Sequence, residues 1–269
     1  MDRSVANFNT RLRTIRIRDL IAGIIIAGII SGILMAIFPV LYESDDLFFI
    51  VFVGLILLFF VWSLKGTTGL DTNLGKVFER NNIKEILYVF AINLIFAFLF
   101  TYLISLLDIV LGFGDPTWIS IWDIDSVTVD SGTLIFDAIT AIIFAPIIEE
   151  LIFRGVLFNR LKIRIGIIPA MIISSFLFGI GHDFGGITSA FLFGICMCIL
   201  YLKTDNILVP MTVHFINNVV ATLLELTSFD AVTAQFPLII PSLLITIIGT
   251  VYLIKYVVNE SSKLKKQFS

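Results

Sequence analysis

The stretch from Leu20 to Tyr42, LIAGIIIAGIISGILMAIFPVLY, contains no charged residue. A helix needs ~20 mostly apolar residues to cross a bilayer, because lipid offers the backbone no hydrogen-bond partner. The stretch therefore predicts a membrane-spanning helix. It is too long for the apolar part of a signal peptide and lacks a small-residue cleavage site, so we expect the helix to be retained.

The composition of the whole chain extends this prediction. The 269 residues are 58% hydrophobic and 14% charged, with a mean hydropathy of +1.03. A soluble domain is typically ~45–50% apolar and ~25% charged. We therefore predict an all-α polytopic membrane protein, and the composition disfavours a disordered chain, a disulfide scaffold and a nucleic-acid binder. Cys196 and Cys198 lie in one apolar run and are interpreted as small apolar filler.

Further apolar stretches follow the first and predict eight spans that form one integral membrane domain over residues 1–269. The fifth and sixth are short enough to form a tight hairpin through residues 183–186. The predicted spans are residues 20–42, 47–64, 86–107, 133–159, 167–182, 187–202, 207–227 and 236–258.

The charges orient these spans. With an even number of spans both termini lie on one side, and that side then receives all 18 Lys and Arg residues of the chain, whereas the opposite connections carry acids. The positive-inside rule predicts that both termini are cytoplasmic. Residues 1–19 form a basic cytoplasmic N-terminal segment, and its stretch from Arg11 to Arg18 is interpreted as a topology determinant, with binding of anionic lipid head groups as the alternative. The basic residues are Arg3, Arg11, Arg13, Arg16, Arg18, Lys65, Lys76, Arg80, Lys84, Arg154, Arg160, Lys162, Arg164, Lys203, Lys255, Lys263, Lys265 and Lys266.

Three predicted spans carry polar groups where lipid should be. An ionisable side chain at a helix centre costs roughly 2.5–3.5 kcal/mol on insertion, so such residues are functional candidates. Glu150 and Arg154 are four residues apart, share a helix face and can pair, whereas Glu149 is turned away. Glu149 then remains a carboxylate outside the salt bridge, as a general base requires. The alternative is a buried Glu–Arg clamp that only fixes helix packing.

The two histidines of the chain, His182 and His214, also lie in apolar spans, and Asn218 shares a helix face with His214. These groups are hard to solvate unless the three spans converge on an intramembrane polar cavity. For them to meet, the fifth span must tilt, start late or be partly re-entrant. A carboxylate and a histidine can activate water, and a second histidine and an amide can stabilise an oxyanion. The same groups could instead relay protons in a transporter or hold zinc.

Other protease signatures are absent or weak. The chain has no H-E-x-x-H motif and no serine in a Gly-x-Ser-Gly context. The sequence Gly112-Phe113-Gly114-Asp115 matches a G-x-G-D pattern, but it lies in an acidic connection before Pro116 and is interpreted as a turn. Asp137, near the outer end of the fourth span, is expected to reach the membrane surface.

The polar clusters resemble the motifs of one family. Glu149-Glu150-Leu151-Ile152-Phe153-Arg154 resembles the E-E-x-x-x-R motif of the CAAX-protease and bacteriocin-processing (CPBP, or Abi) family. Phe178 with His182 resembles its F-x-x-x-H motif, and His214 with Asn218 its H-x-x-x-N motif. Their order, their spacing and the eight spans fit, with residues 133–227 as the catalytic core.

The resemblance implies an intramembrane endopeptidase of the type II CAAX prenyl protease kind. It implies that Glu149 and His182 activate the attacking water, that His214 and Asn218 stabilise the oxyanion, and that Glu150 and Arg154 support the site. We favour a site without a cofactor. In the metal-dependent alternative, zinc would bind Glu149, His182 and His214.

The resemblance also bears on partners and location. Substrates would be peptides or lipidated proteins within the membrane, the short loops resemble those of a prokaryotic cell-membrane protein, and no nucleic-acid partner is expected. Two alternative functions remain. One is a proton-coupled transporter, and the other is a non-catalytic bacteriocin self-immunity or envelope scaffold protein.

Overall fold

The computed structural model describes residues 6–42, 45–112, 136, 138–182 and 186–268. These residues form helices and no β-strand, apart from one isolated β-bridge between Asn7 and Thr68. The all-α prediction is therefore confirmed for the described part of the chain. Several predicted features lie outside it, namely the G-x-G-D pattern beyond Gly112 and the acids Asp115, Asp123, Asp125, Asp130, Asp137 and Asp183.

The helices follow one another with short connections. One of them, α8, is an uninterrupted helical stretch that alternates between π-helical and α-helical turns. The helices are α1 (Phe8–Leu12), α2 (Ile17–Ile37), α3 (Pro39–Tyr42), α4 (Asp45–Ser63), α5 (Leu70–Val77), α6 (Arg80–Ala97), α7 (Leu99–Leu111), α8 (140–165), α9 (Ile167–Gly179), α10 (Ile187–Thr204), α11 (Leu208–Leu226), α12 (Phe229–Thr233) and α13 (Ile239–Phe268).

Five helical stretches in the described residues are long and apolar enough to cross a membrane, and all five lie at predicted spans. Two shorter apolar helices, Leu47–Ser63 and Ile167–Gly179, lie at two further predicted spans. The predicted fourth span begins outside the described residues and continues as α8. A membrane protein is therefore confirmed, while the number eight stays a prediction. The five stretches are Ile17–Ile37, Arg80–Leu111, Ile187–Thr204, Leu208–Leu226 and Ile239–Gln267.

Two predicted span boundaries were wrong for local reasons. The helix at the first predicted span, α2, ends at Ile37 and not at residue 42, because Phe38 adopts an extended conformation before Pro39. The ring of a proline disfavours helical backbone at the preceding residue. The helix at the predicted fifth span is α9, which has 13 residues and ends at Gly179 and not at residue 182. At ~1.5 Å per residue it is about 20 Å long, too short to cross the hydrocarbon layer.

Helix α10 lies at the centre of the bundle. Its residues from Cys196 to Tyr201 are all at most 1% exposed, which confirms the two cysteines as buried filler. Helix α9 packs along α10, and Gly194 permits this approach because a Cβ there would meet Ser175 at 2.9 Å. The outer helices instead expose apolar side chains, as in α2, where Ile29 is 58% exposed. Such a surface is expected of a helix that faces lipid.

The N-terminal segment docks onto the bundle, which the sequence had not indicated. Leu12 is fully buried, and its Cδ2 lies only 2.8 Å from the position that a Cβ on Gly155 would take. Arg13 forms an ion pair with Asp205, and Arg160 Nε donates to the Ile15 carbonyl at 2.7 Å. These contacts join segments that the charge pattern places on one side of the membrane.

Candidate active site

The two motif glutamates occupy an irregular part of α8. Residues Thr140–Phe144 and Leu151–Phe158 are π-helical, and the α-helical turn Ala145–Glu150 lies between them. Pro146 near the start of this turn has no backbone N–H to donate, which favours an irregular hydrogen-bond pattern before it. π-Helical turns are rare and frequent at functional sites.

Glu150 and Arg154 form a buried ion pair, as their spacing predicts. Arg154 Nη1 lies 3.1 Å from Glu150 Oε1, and the two side chains are 1% and 0% exposed. The Arg154 guanidinium carbon also lies 4.4 Å from the centre of the Phe178 ring. A cation over an aromatic face is stabilised by the ring quadrupole. The phenylalanine of the second motif therefore supports the arginine of the first.

His214 reaches both glutamates from α11. Its Nδ1 lies 3.1 Å from Glu150 Oε1, and its Nε2 lies 3.7 Å from Glu149 Oε2. Paired with Arg154, Glu150 acts as a hydrogen-bond acceptor, so Nδ1 of His214 carries the donated proton. A fixed Nδ1–H orients the ring and turns Nε2 toward Glu149, as in other carboxylate–histidine pairs. Phe178 also packs against the imidazole edge, with a centroid distance of 5.8 Å.

The two glutamates have different surroundings. The Glu150 side chain is fully buried, whereas the Glu149 side chain is 30% exposed. Two adjacent carboxylates in different environments can take different roles, one structural and one chemical. Here the salt-bridged Glu150 contacts His214 from the buried side, and Glu149 is the more exposed of the two carboxylates.

Asn218 lies one helical turn beyond His214. Its Nδ2 donates to the Ala141 carbonyl in the first π-helical turn of α8 at 2.7 Å, and its Oδ1 accepts from Asn217 Nδ2 at 3.4 Å. A side-chain amide carries two N–H donors. One of them is thus held by α8, and the other remains available for a ligand.

His182 is the predicted site residue that stands apart. It follows the end of α9 and is exposed, and its Nδ1 lies 3.0 Å from the Phe178 carbonyl of its own turn. Its ring packs on Phe178 with a centroid distance of 4.8 Å. It forms no hydrogen bond or ion pair with Glu149, both residues lying in the part of the chain that the structure describes. The structure thus brings together Glu149, Glu150, Arg154 and His214, with Phe178 between them and His182.

Sequence reasoning missed a polar chain behind the site. Asn159 Nδ2 lies within 3.0 Å of the Arg154 carbonyl and within 2.8 Å of the Gly155 carbonyl. It also lies 2.9 Å from the Tyr201 hydroxyl, which accepts from Arg13 Nε at 3.1 Å. These bonds satisfy backbone carbonyls in the π-helical turn that carries Arg154. The sequence did contain one indication of these bonds, because Asn159 is a polar residue in an apolar predicted span, five residues after Arg154.

The metal-dependent alternative requires Glu149, His182 and His214 to converge on one ion. Among the residues that the structure describes, no three His, Cys, Asp or Glu side chains lie close enough to hold a metal ion together. His182 stands apart from Glu149, and the guanidinium of Arg154 beside Glu150 would repel a cation near His214. The described geometry therefore does not fit a ligand set of Glu149, His182 and His214, and a site without metal stays a prediction.

The region that carries the motifs is similar to known membrane peptidases. Residues 131–220 match the family described as Rce1-like, type II CAAX prenyl endopeptidase. All three motifs lie within these residues. The match confirms the resemblance to the CAAX-protease and bacteriocin-processing family for this third of the chain.

Two bacterial relatives each match about a third of the chain. One is the putative membrane peptidase YdiL of Bacillus subtilis (strain 168), 34% identical over 89 residues, which are 33% of this chain and 36% of that protein. The other is the membrane-embedded CAAX protease MroQ of Staphylococcus aureus (strain USA300), 31% identical over 96 residues, which are 33% of this chain and 39% of that protein. The chain thus spans little more than a third of either relative's length. No solved structure matches the chain significantly.

Proposed function

We propose that this protein is an intramembrane endopeptidase that hydrolyses a peptide bond with Glu149 as the general base. The observation that carries the proposal is His214, whose two ring nitrogens face two glutamates of different exposure. The peptidase names of the relatives and the match over residues 131–220 support the same class of reaction.

In the proposed reaction a water molecule bound by Glu149 attacks the carbonyl carbon of the scissile peptide. Glu149 takes one proton from the water as the carbon–oxygen bond forms. The tetrahedral intermediate then collapses, the carbon–nitrogen bond breaks, and the proton passes to the leaving amine. The products are a new carboxylate and a new amine. A general base of this kind typically contributes about 10²–10⁴-fold to the rate.

The developing oxyanion receives hydrogen bonds from Asn218 and His214. The Nδ2 atom of Asn218 has one N–H left beside its bond to the Ala141 carbonyl. His214 would donate through Nε2, which lies 3.7 Å from Glu149 Oε2, while Nδ1 lies 3.1 Å from Glu150 Oε1. Donors fixed before the reaction stabilise charge where it develops.

The role proposed for His182 differs from that of the other residues, since it lies at the end of α9 outside hydrogen-bond reach of Glu149. We propose that His182 is the second residue that activates water and that it does so only when a substrate is bound. A shift of the ring about the turn after Gly179 would bring it to the water. Hydrogen bonds in active sites often tighten only in the substrate complex.

We place the site in a water-holding cavity within a bundle of eight spans, with both termini in the cytoplasm of a prokaryotic cell. Glu150 Oε2 and the Nε and Nη2 atoms of Arg154 are buried and lack hydrogen-bond partners among the described residues, which supports the presence of water there. The ion pairs of Arg13 and Lys203 join segments that the charge pattern places on one side. The substrate is a membrane-associated peptide or lipidated protein.

Cleavage of a panel of internally quenched peptides tests the proposal. Prenylated and unprenylated peptides would be given to the purified protein in detergent, to the Glu149→Gln variant and to a chelator-treated sample. We expect cleavage by the wild-type protein, with and without chelator, and none by the variant. Loss of cleavage with chelator and recovery with zinc would contradict the metal-free mechanism. No cleavage of any peptide would favour the transporter or the scaffold protein.

A further inference from the structure

A cavity of about 980 Å³ lies away from the glutamates, between the N-terminal segment, the start of α2 and the end of α4. Ligand sites in proteins typically measure about 300–1,000 Å³. One end of this cavity is lined by charged side chains and the other by apolar ones. The charged residues are Arg11, Arg16, Arg18, Asp19 and Lys65, and the main apolar residues are Ala22, Ile26, Phe59 and Trp62.

The charged end is strongly cationic. It holds four basic side chains and one carboxylate, which is a formal net charge of +3. Arg11 Nε donates to the Ser63 carbonyl at 3.3 Å and so joins α1 to the end of α4, and Arg18 lies 3.4 Å from Asp19. Arg16 and Lys65 are exposed, and neither side chain forms a hydrogen bond or ion pair with another described residue. These two cations are therefore available to an anion.

The apolar end continues down the groove between α2 and α4. Phe59 packs close to α2 at Gly23, where a Cβ would meet the ring at 2.9 Å, so the ring forms the floor of the groove. Ile26 and Trp62 form its sides and are 55% and 67% exposed. Tryptophan is enriched where a membrane protein crosses from lipid to water. The groove thus runs from a cationic end into the lipid-facing part of two helices.

We propose that this cavity binds one anionic phospholipid. Its phosphate lies between Arg16 and Lys65, and an acyl chain lies along Phe59, Ile26 and Trp62. Charge complementarity selects the anion, and the apolar groove selects a lipid over free phosphate. A neutral phospholipid carries a phosphate but also a cationic group that the four basic residues repel. The proposal does not rest on the peptidase activity, since neither Arg16 nor Lys65 forms a hydrogen bond or ion pair with Glu149 or Glu150 in the described part of the chain.

Binding of phosphatidylglycerol to the purified protein in a neutral detergent tests the site, by native mass spectrometry or with a fluorescent lipid. Each basic residue near an anionic head group contributes about fivefold to affinity. We therefore expect Arg16→Gln/Lys65→Gln to bind about 30-fold more weakly. Ala22→Trp, which keeps the charges and fills the groove, should also weaken binding. The matched control is Lys76→Gln/Arg80→Gln, which removes two basic residues outside the cavity.

Several outcomes would overturn the proposal. Equal loss in the control pair would indicate a general surface attraction, and equal binding of phosphatidylcholine would remove the selection by charge. Unchanged binding in Ala22→Trp, or full displacement of the lipid by millimolar inorganic phosphate, would indicate an anion site without a lipid. Since Arg16 and Lys65 are exposed, the double variant should keep the thermal stability of the wild-type protein, which separates weaker binding from misfolding.

Discussion

Replacing Arg154 with methionine should destabilise the protein more than any exposed substitution. The pair with Glu150 is 1% and 0% exposed, so the variant would leave a buried carboxylate without its cation. Breaking a buried ion pair from one side costs about 3–5 kcal/mol. For a chain of this size each kcal/mol lowers the melting temperature by roughly 2–4 °C, so we expect a fall of about 10 °C.

Thermal unfolding in detergent would measure this effect in the wild-type protein and three variants. The double variant Glu150→Gln/Arg154→Met carries no unpaired charge, and we expect it to be about 2 kcal/mol more stable than Arg154→Met alone. It should nevertheless be inactive, because the neutral amide no longer fixes the His214 ring. Arg164→Met, an exposed substitution in the same helix, is the control and should change stability by less than about 0.5 kcal/mol. If Arg154→Met melts like this control, the buried pair does not exist as described.

Three further predictions concern packing, chemistry and pH. Gly155→Ala should cost about 1–3 kcal/mol, because its Cβ would meet Leu12 at 2.8 Å; combining it with Leu12→Ala should cost less than the sum of the two unfolding free energies, and strict additivity would refute the contact. Asn218→Ala should lower kcat about 10²–10³-fold with little change in KM, as expected for an oxyanion donor; an effect on KM alone would refute that role. Burial and the nearby charge of Arg13 lower the pKa of Lys162 to about 8. Its charged form therefore destabilises the fold below pH 8, and this penalty is relieved as pH rises from 8 toward its unfolded value of 10.5. Lys162→Met should thus raise the melting temperature at pH 7 and lose that advantage by pH 10.5; a constant difference across this range would contradict the low pKa.

The contacts that were predictable from the sequence follow local spacing or the cost of burial. Glu150 and Arg154 pair because they are four residues apart, even though the turn between them is π-helical. The approach of His214 to both glutamates was predictable because unpartnered polar groups are costly in lipid. The detailed geometry was not, since hydropathy carries no information on which nitrogen faces which carboxylate.

The contacts that the sequence did not indicate join distant parts of the chain. Leu12 packs on Gly155, and Arg13 binds Tyr201 and Asp205, although the N-terminal segment resembles an ordinary basic flank. Phe178 supports Arg154 from another helix, whereas its place in an apolar run suggests only packing. Long-range pairs of this kind depend on how helices approach each other, which periodicity within one helix does not specify.

The role of Glu149 as the general base is tested most directly by comparing Glu149→Gln with Glu225→Gln. Both substitutions replace a carboxylate with an amide, and Glu225 is an exposed residue of α11, seven residues after Asn218 and outside the three motifs. With a peptide that the wild-type protein cleaves, single-turnover rates and melting temperatures would be measured for all three proteins. We expect a loss of about 10²–10⁴-fold in rate for Glu149→Gln, with its melting temperature unchanged, and no loss for Glu225→Gln. A Glu149→Gln variant that cleaves within tenfold of the wild-type rate would contradict Glu149 as the general base.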